Sequence, residues 1–160
     1  SLGNVKKMYI PPAIDPNASL KQNQLLLEAQ IADMIEVGEK DKVLDIGCGM
    51  GLIADHVADI TGAEVHGFNV EPSGIAHAKS IALSKGRAES LFKTWDYNNY
   101  PWPYEDDTFD AIYEVQAFTF IREPERFFKE LHRILKPGGR VVIDETVLMD
   151  EFDAEMMDDL

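Results

Sequence analysis

Hydrophobic positions along the chain switch between a period near 3.6 and a period near 2, and the switching predicts alternating helices and strands. Leu20, Leu27, Ile31, Met34 and Ile35 recur at helical spacing behind Ser19, which fits a capping box with Gln22, and Gly38 is the expected stop. Val43-Leu44-Asp45-Ile46 reads as a short strand running into Gly47. A helix is expected from Leu52 to Ile60, with Gly62 behind it, and a second strand from Val65 to Phe68. Ser73 opens a helix through Ile75, Ala78, Ala82 and Leu83 that Gly86 closes. Leu91 to Trp95 is the third strand candidate and Phe109 to Phe118 the fourth. Between them, Asn98 to Asp107 is polar and broken by proline, which reads as a loop. Pro124 suits a first helical turn, and Phe127, Phe128, Leu131, Ile134 and Leu135 form an apolar stripe behind it. Lys136-Pro137-Gly138-Gly139 is expected to end that helix sharply, and Val141-Val142-Ile143 is the fifth strand.

Strands alternating with helices predict right-handed crossovers, hence an α/β fold with a parallel sheet and helices on both faces. Residues 1–18, with Pro11, Pro12 and Pro16, read as an extended lead-in, and 19–160 as one domain. The chain begins at Ser1, so Ser1-Leu2-Gly3 does not show a natural start.

Charge narrows the classes of function. Acids outnumber bases 29 to 15 in the 160 residues, a net charge of -14. Nucleic acid and anionic membrane surfaces are disfavoured partners, because phosphate binding calls for a basic face. No apolar run approaches the roughly 20 residues that span a bilayer, and no secretory leader is visible. A single cysteine, Cys48, excludes an internal disulfide framework. These features predict a cytoplasmic protein without a transmembrane segment. Residues 144–160 hold eight acids and no base, which reads as a solvated face with the start of a helix.

Candidate chemistry centres on Asp45-Ile46-Gly47-Cys48-Gly49-Met50-Gly51. Glycines between a strand and a helix lie where open α/β sheets bind ligands, beyond the carboxyl ends of the strands. A dinucleotide site places a pyrophosphate on the helix N-terminus and seldom sets a carboxylate two residues before the first glycine. Asp45 therefore favours a cationic ligand over a nicotinamide cofactor. Cys48 reads as a small turn residue. His56, His66 and His77 form no metal-ligand spacing with acids or with Cys48, so no metal is expected.

At these residues the chain resembles the class I S-adenosylmethionine-dependent methyltransferases, whose first motif is similar to VLDIGCGMG here. The resemblance spans about residues 40 to 146. It implies a Rossmann-like fold, with S-adenosyl-L-methionine as cofactor and S-adenosyl-L-homocysteine as product. It places Asp45, Gly47, Cys48, Gly49 and Gly51 at the methionyl part of the cofactor. Asn69 and Val70 fall at the ribose position, where the family often has an acid, and Glu71 is the nearby alternative. Trp95 and Asp96 fall at the adenine position. Thr108 to Tyr113 resembles the family's fourth strand, and Leu131 to Arg140 its following helix and turn.

The pattern is most similar to sterol 24-C-methyltransferases and tocopherol and small-metabolite methyltransferases, which implies a small, largely apolar, lipid-like acceptor. Tyr113, Gln116, Phe118 and Phe120 are the candidate acceptor residues. Two readings of the aromatic ones stand: a pocket that stabilises positive charge, or ordinary packing. The sterol pattern has a glutamate and, four residues on, a histidine where this chain has Gln116 and Phe120. Glu114 and His132 are then the remaining ionisable candidates for a catalytic base. His132, in the helix before Leu135-Lys136-Pro137-Gly138-Gly139, reads rather as a cap or a solvent-facing residue. Glu114 is also a candidate cofactor contact, with a strand-end contact to backbone as its structural alternative. The departure keeps open a non-catalytic S-adenosylmethionine-binding or interaction module. The family sheet has seven strands and five are visible here, so the chain is expected to lack the last two, to turn over poorly alone, and to offer an open sheet edge for self-association.

Overall fold

The computed structural model describes residues 7–145. Helix α1 spans Leu20–Ile35, β1 Lys42–Ile46, α2 Leu52–Thr61, β2 Glu64–Asn69, α3 Pro72–Ser84, β3 Phe92–Thr94, β4 Phe109–Val115, α4 Pro124–Ile134 and β5 Leu135–Asp144. All strand pairs are parallel, in the order β3-β2-β1-β4-β5. The order reverses at β1, so the loops leaving β1 and β4 diverge to opposite sides and open a crevice. The expected five-stranded α/β sheet is therefore present. Among the described residues no helix is long and apolar enough to cross a membrane.

Each strand alternates between two cores. Val43, Ala111 and Tyr113 face a cluster with Ile31 and Ile35 of α1, Val57 of α2 and Ile75 of α3. Leu44, Ile46 and Ile112 face the other side, against Phe127, Leu131 and Ile134 of α4. One helix cannot cover that second face, and the loop between β3 and β4 completes it. Trp102 from this loop is only 2% exposed, stacks on Tyr100 and lies against Phe68 and Phe127. Its backbone N–H donates to Glu130 at 2.6 Å. The loop that reads as polar in sequence is thus an aromatic plug.

Several boundaries move, each for a local reason. Ser19 and Gln22 make both bonds of the expected capping box. Helix α1 ends before Gly38, because Glu36 takes the left-handed conformation with φ 50°. The third strand shrinks to three residues, with Leu91 in a 3-10 turn before it. The fourth stops at Val115, because Gln116 turns left-handed at φ 54°. The fifth begins at Leu135, directly after α4. Lys136 to Gly139 lie inside it as an irregularity, since Leu135 pairs with Phe109 and Arg140 already with Ala111.

Truncating Trp102 tests the plug. Trp102→Ala is expected to lower stability by about 3–5 kcal/mol, the usual cost of removing a large buried aromatic, read from urea unfolding midpoints.

Candidate cofactor site

The crevice is built around the turn after β1. Cys48 N–H donates to the Phe68 carbonyl at 3.1 Å, which ties the turn to β2, and Gly51 N–H donates to the Cys48 carbonyl at 2.8 Å. Gly47 and Gly49 have φ of 70° and 52°, a region that side chains rarely adopt. Gly51 caps α2 without any side-chain bond, so the first N–H groups of that helix are left for a ligand or for water. Two further glycines let the walls close in. A Cβ on Gly74 would sit 2.7 Å from the Gly49 carbonyl oxygen, and one on Gly67 would sit 2.8 Å from the Cys48 side chain.

A cavity of about 290 Å³ opens here. The loop and α2 contribute Gly47 to Met50, Leu52 and Ile53; the end of β2 and the start of α3 contribute Asn69, Glu71, Ser73 and Gly74. Val115 and a segment of the lead-in, Lys7 to Tyr9, supply the remaining walls. The size is near the lower limit for small-molecule pockets. The donors and acceptors suit a ligand with an amino-acid tail and a ribose. Free N–H groups at the helix start match a carboxylate, and the Asn69 amide and Glu71 carboxylate match hydroxyls.

The expected site residues divide into those that border the cavity and those that do not. Gly47, Cys48, Gly49 and Asn69 line it. Gly51 stands just behind, packed on Ala78, and Val70 is exposed beside it. Trp95 and Asp96 follow β3, joined to the site where Trp95 N–H donates to the Asn69 carbonyl at 3.0 Å. Neither lines the cavity: the Trp95 indole donates to the Asn99 carbonyl, and the Asp96 carboxylate accepts from Asn98 N–H.

Asp45 and Tyr113 are core residues. The Tyr113 hydroxyl donates to Asp45 at 3.0 Å, and both side chains are closed off from solvent. Burial pushes the Asp45 carboxyl well above the ordinary range, and the Tyr113 bond offsets part of that. Burial likewise raises the Tyr113 hydroxyl and the Cys48 thiol. Tyr113 is thus turned into the core, and strand alternation explains why: it shares the face of Asp45, which its register opposes.

The other expected acceptor residues also have structural work. The Gln116 side chain exchanges two hydrogen bonds with the Ile10 backbone, at 3.2 Å and 2.6 Å. Phe118 packs on Phe127 and Phe128, while Phe120 is 62% exposed. Glu114 is buried, and one carboxylate oxygen accepts from the N–H groups of Ala117 and Phe118 at 2.7 Å and 3.1 Å. Its other oxygen has no partner among the described residues. Burial raises its pKa to about 7, the two N–H groups pull it down, and Glu145 and Asp144 add to the rise.

Residues absent from the sequence reading are Lys7, Tyr9, Gly74 and, behind the lead-in, Glu28. A signal for Glu28 existed: a carboxylate sits between Leu27 and Ile31 on the apolar stripe of α1.

Residues 38–160 match the family model of a methyltransferase domain. The chain belongs to the methyltransferase family. A sterol 24-C-methyltransferase of Gibberella zeae is 34% identical over 127 residues, 79% of this chain and 33% of the relative. The crystal structure of the [4+2]-cyclase SpnF is 32% identical with a TM-score of 0.71, covering 80% of this chain and 47% of that one. Geranyl diphosphate C-methyltransferase of Streptomyces coelicolor A3(2), solved with S-adenosyl-L-homocysteine, shares the fold at 19% identity and a TM-score of 0.72, covering 87% of this chain and 57% of that one. The chain spans half or less of the length of the curated relatives it matches. The cofactor of this family, S-adenosyl-L-methionine, agrees with the donors and acceptors of the cavity.

Two measurements probe the site. Gly74→Ala should force α3 away from the glycine turn and weaken binding of S-adenosyl-L-homocysteine about tenfold or more, as read by calorimetry. Glu114 sets a pH dependence. Its folded value lies above the ordinary 4.5, so the folded chain keeps a proton that the unfolded chain releases between about pH 4.5 and 7. That stabilisation is full below about pH 4.5 and is lost as pH rises to 7, on the order of 3 kcal/mol. Urea midpoints at pH 5 and pH 8 should therefore fall less with rising pH in Glu114→Gln than in the parent chain.

Proposed function

We propose that this chain binds S-adenosyl-L-methionine in the crevice above the glycine turn and directs its methyl group to a small, largely apolar, lipid-like acceptor. The observation that carries the reading is the cavity at the carboxyl ends of β1 and β2, walled by left-handed glycines in a chain of the methyltransferase family. The loop from Gly47 to Gly51 and the first turn of α2 hold the amino-acid end. Asn69 and Glu71 bind the ribose hydroxyls, and the adenine extends past the cavity from Asn69 toward Trp95 and Asp96 at the end of β3. Asp45 and Tyr113 support the loop from beneath. When bound, the cofactor supplies an electrophilic methyl group on a sulfonium. The contribution of the chain is positioning and the exclusion of water, which supply much of the rate in a direct transfer. No catalytic base is assigned, since Glu114 spends one oxygen on backbone N–H groups and lies outside the cavity lining. The apolar acceptor is supported by the net charge of -14, which opposes nucleic acid, and by the sterol methyltransferase among its relatives.

Gln116 favours a second reading, a module that binds the cofactor without methyl transfer. Its amide is committed to Ile10 and leaves no ionisable group at that position.

Calorimetry separates these from a nicotinamide site. S-adenosyl-L-homocysteine should bind and NAD should not, and Asn69→Ala should cost about 1 kcal/mol of binding. With labelled cofactor, the full-length natural protein should label a lipid extract and leave tRNA unlabelled. Binding with no labelled product in any extract would favour the second reading.

A further inference from the structure

Three side chains converge on one buried carboxylate behind the cofactor cavity. Glu28 has no exposed surface. Lys7 Nζ lies 2.5 Å from both of its oxygens, the Tyr9 hydroxyl 2.5 Å from Oε1, and Nδ1 of His56 on α2 lies 2.6 Å from Oε2. Packing alone would be served by an apolar side chain on this stripe of α1, because a buried ion pair seldom outperforms a well-packed hydrophobic group. What the carboxylate adds is a fixed anchor for two residues of the lead-in. Lys7 and Tyr9, with Met8, are a wall of the cavity, whereas Glu28 itself does not line it. The segment is held at two more points: Gln24 Nε2 donates to the Tyr9 carbonyl at 2.9 Å, and Gln116 exchanges its pair of bonds with Ile10.

We infer that Glu28 is a positioning residue for cofactor binding: through Lys7 and Tyr9 it holds the lead-in in place as a wall of the cofactor cavity. The inference rests on the cofactor reading above. Glu28 acts at a distance from the ligand, and its partner on α2 ties the same anchor to the helix whose first turn faces the cavity.

Two readouts on the 160-residue chain test this: hydrogen exchange of the Ile10 amide without ligand, and calorimetric affinity for S-adenosyl-L-homocysteine measured well below the melting temperature. In Glu28→Gln the Ile10 amide should exchange faster and affinity should fall about tenfold. Tyr9→Phe should move both readouts in the same direction by less. The double variant should lose less than the two single losses combined, since both act on one contact. A folded Glu28→Gln chain with parental affinity overturns the inference and leaves the cofactor reading intact. A parental chain that does not bind S-adenosyl-L-homocysteine removes both. Should Glu28→Gln fail to fold, Tyr9→Phe decides, and parental affinity in that variant overturns the inference.

Discussion

The structure depends on how closely backbone approaches backbone around the turn after β1. That turn is wedged between β2, the start of α3 and the loop after β4. At each wall the missing Cβ of a glycine sets the clearance: Gly67 against Cys48, Gly74 against the Gly49 carbonyl, Gly47 against Ala117. A Cβ at Gly74 would push α3 off the turn, one at Gly67 would push the turn off β2, and one at Gly47 would push it off the loop that follows β4. The cavity is the space left when these contacts are all satisfied, so the same constraint that packs the sheet also shapes the site.

An acidic chain has to place its carboxylates, and several of them are inside. Each buried one meets a donor from another element. Asp45 meets Tyr113 of β4, Glu114 meets the N–H groups beyond its own strand, Glu130 meets the backbone of Trp102, and Glu28 meets the lead-in and α2. A buried carboxylate without a partner costs far more than a buried methylene, so these bonds fix which segments must lie together. They stitch irregular chain to regular elements: the aromatic plug through Glu130, the lead-in through Glu28, the turn after β4 through Glu114.

The sheet, its helices and the glycine turn were legible because their signals are local: a period of 2, a period near 3.6, a capping box and a run of glycines. The resemblance to methyltransferases rested on the glycine run together with further motifs at the strand ends, over about residues 40 to 146. What was not legible is set by long-range contact. Tyr113 reads as a residue near the acceptor, yet the register of β4 against β1 turns it onto Asp45. Gln116 reads as a substituted acceptor residue, yet its partner is Ile10, and nothing near either residue in sequence announces the pairing. Trp102 looks like a loop residue because one aromatic between two prolines has no period. Glu28 was visible as an anomaly on an apolar stripe, but two of its partners, Lys7 and Tyr9, come from a segment without any pattern, and nothing in the sequence points His56 of α2 at it.

The clasp between Gln116 and Ile10 joins residues 106 apart in sequence. Closing so long a loop costs entropy that the two hydrogen bonds alone do not repay, so the clasp can form only after β1 and β4 have brought their ends together. In chain order the lead-in precedes every strand, yet its hold on Gln116 waits for β4. Until β4 has been made, the nascent chain has its glycine turn but lacks the Val115 wall and the clasp beside it.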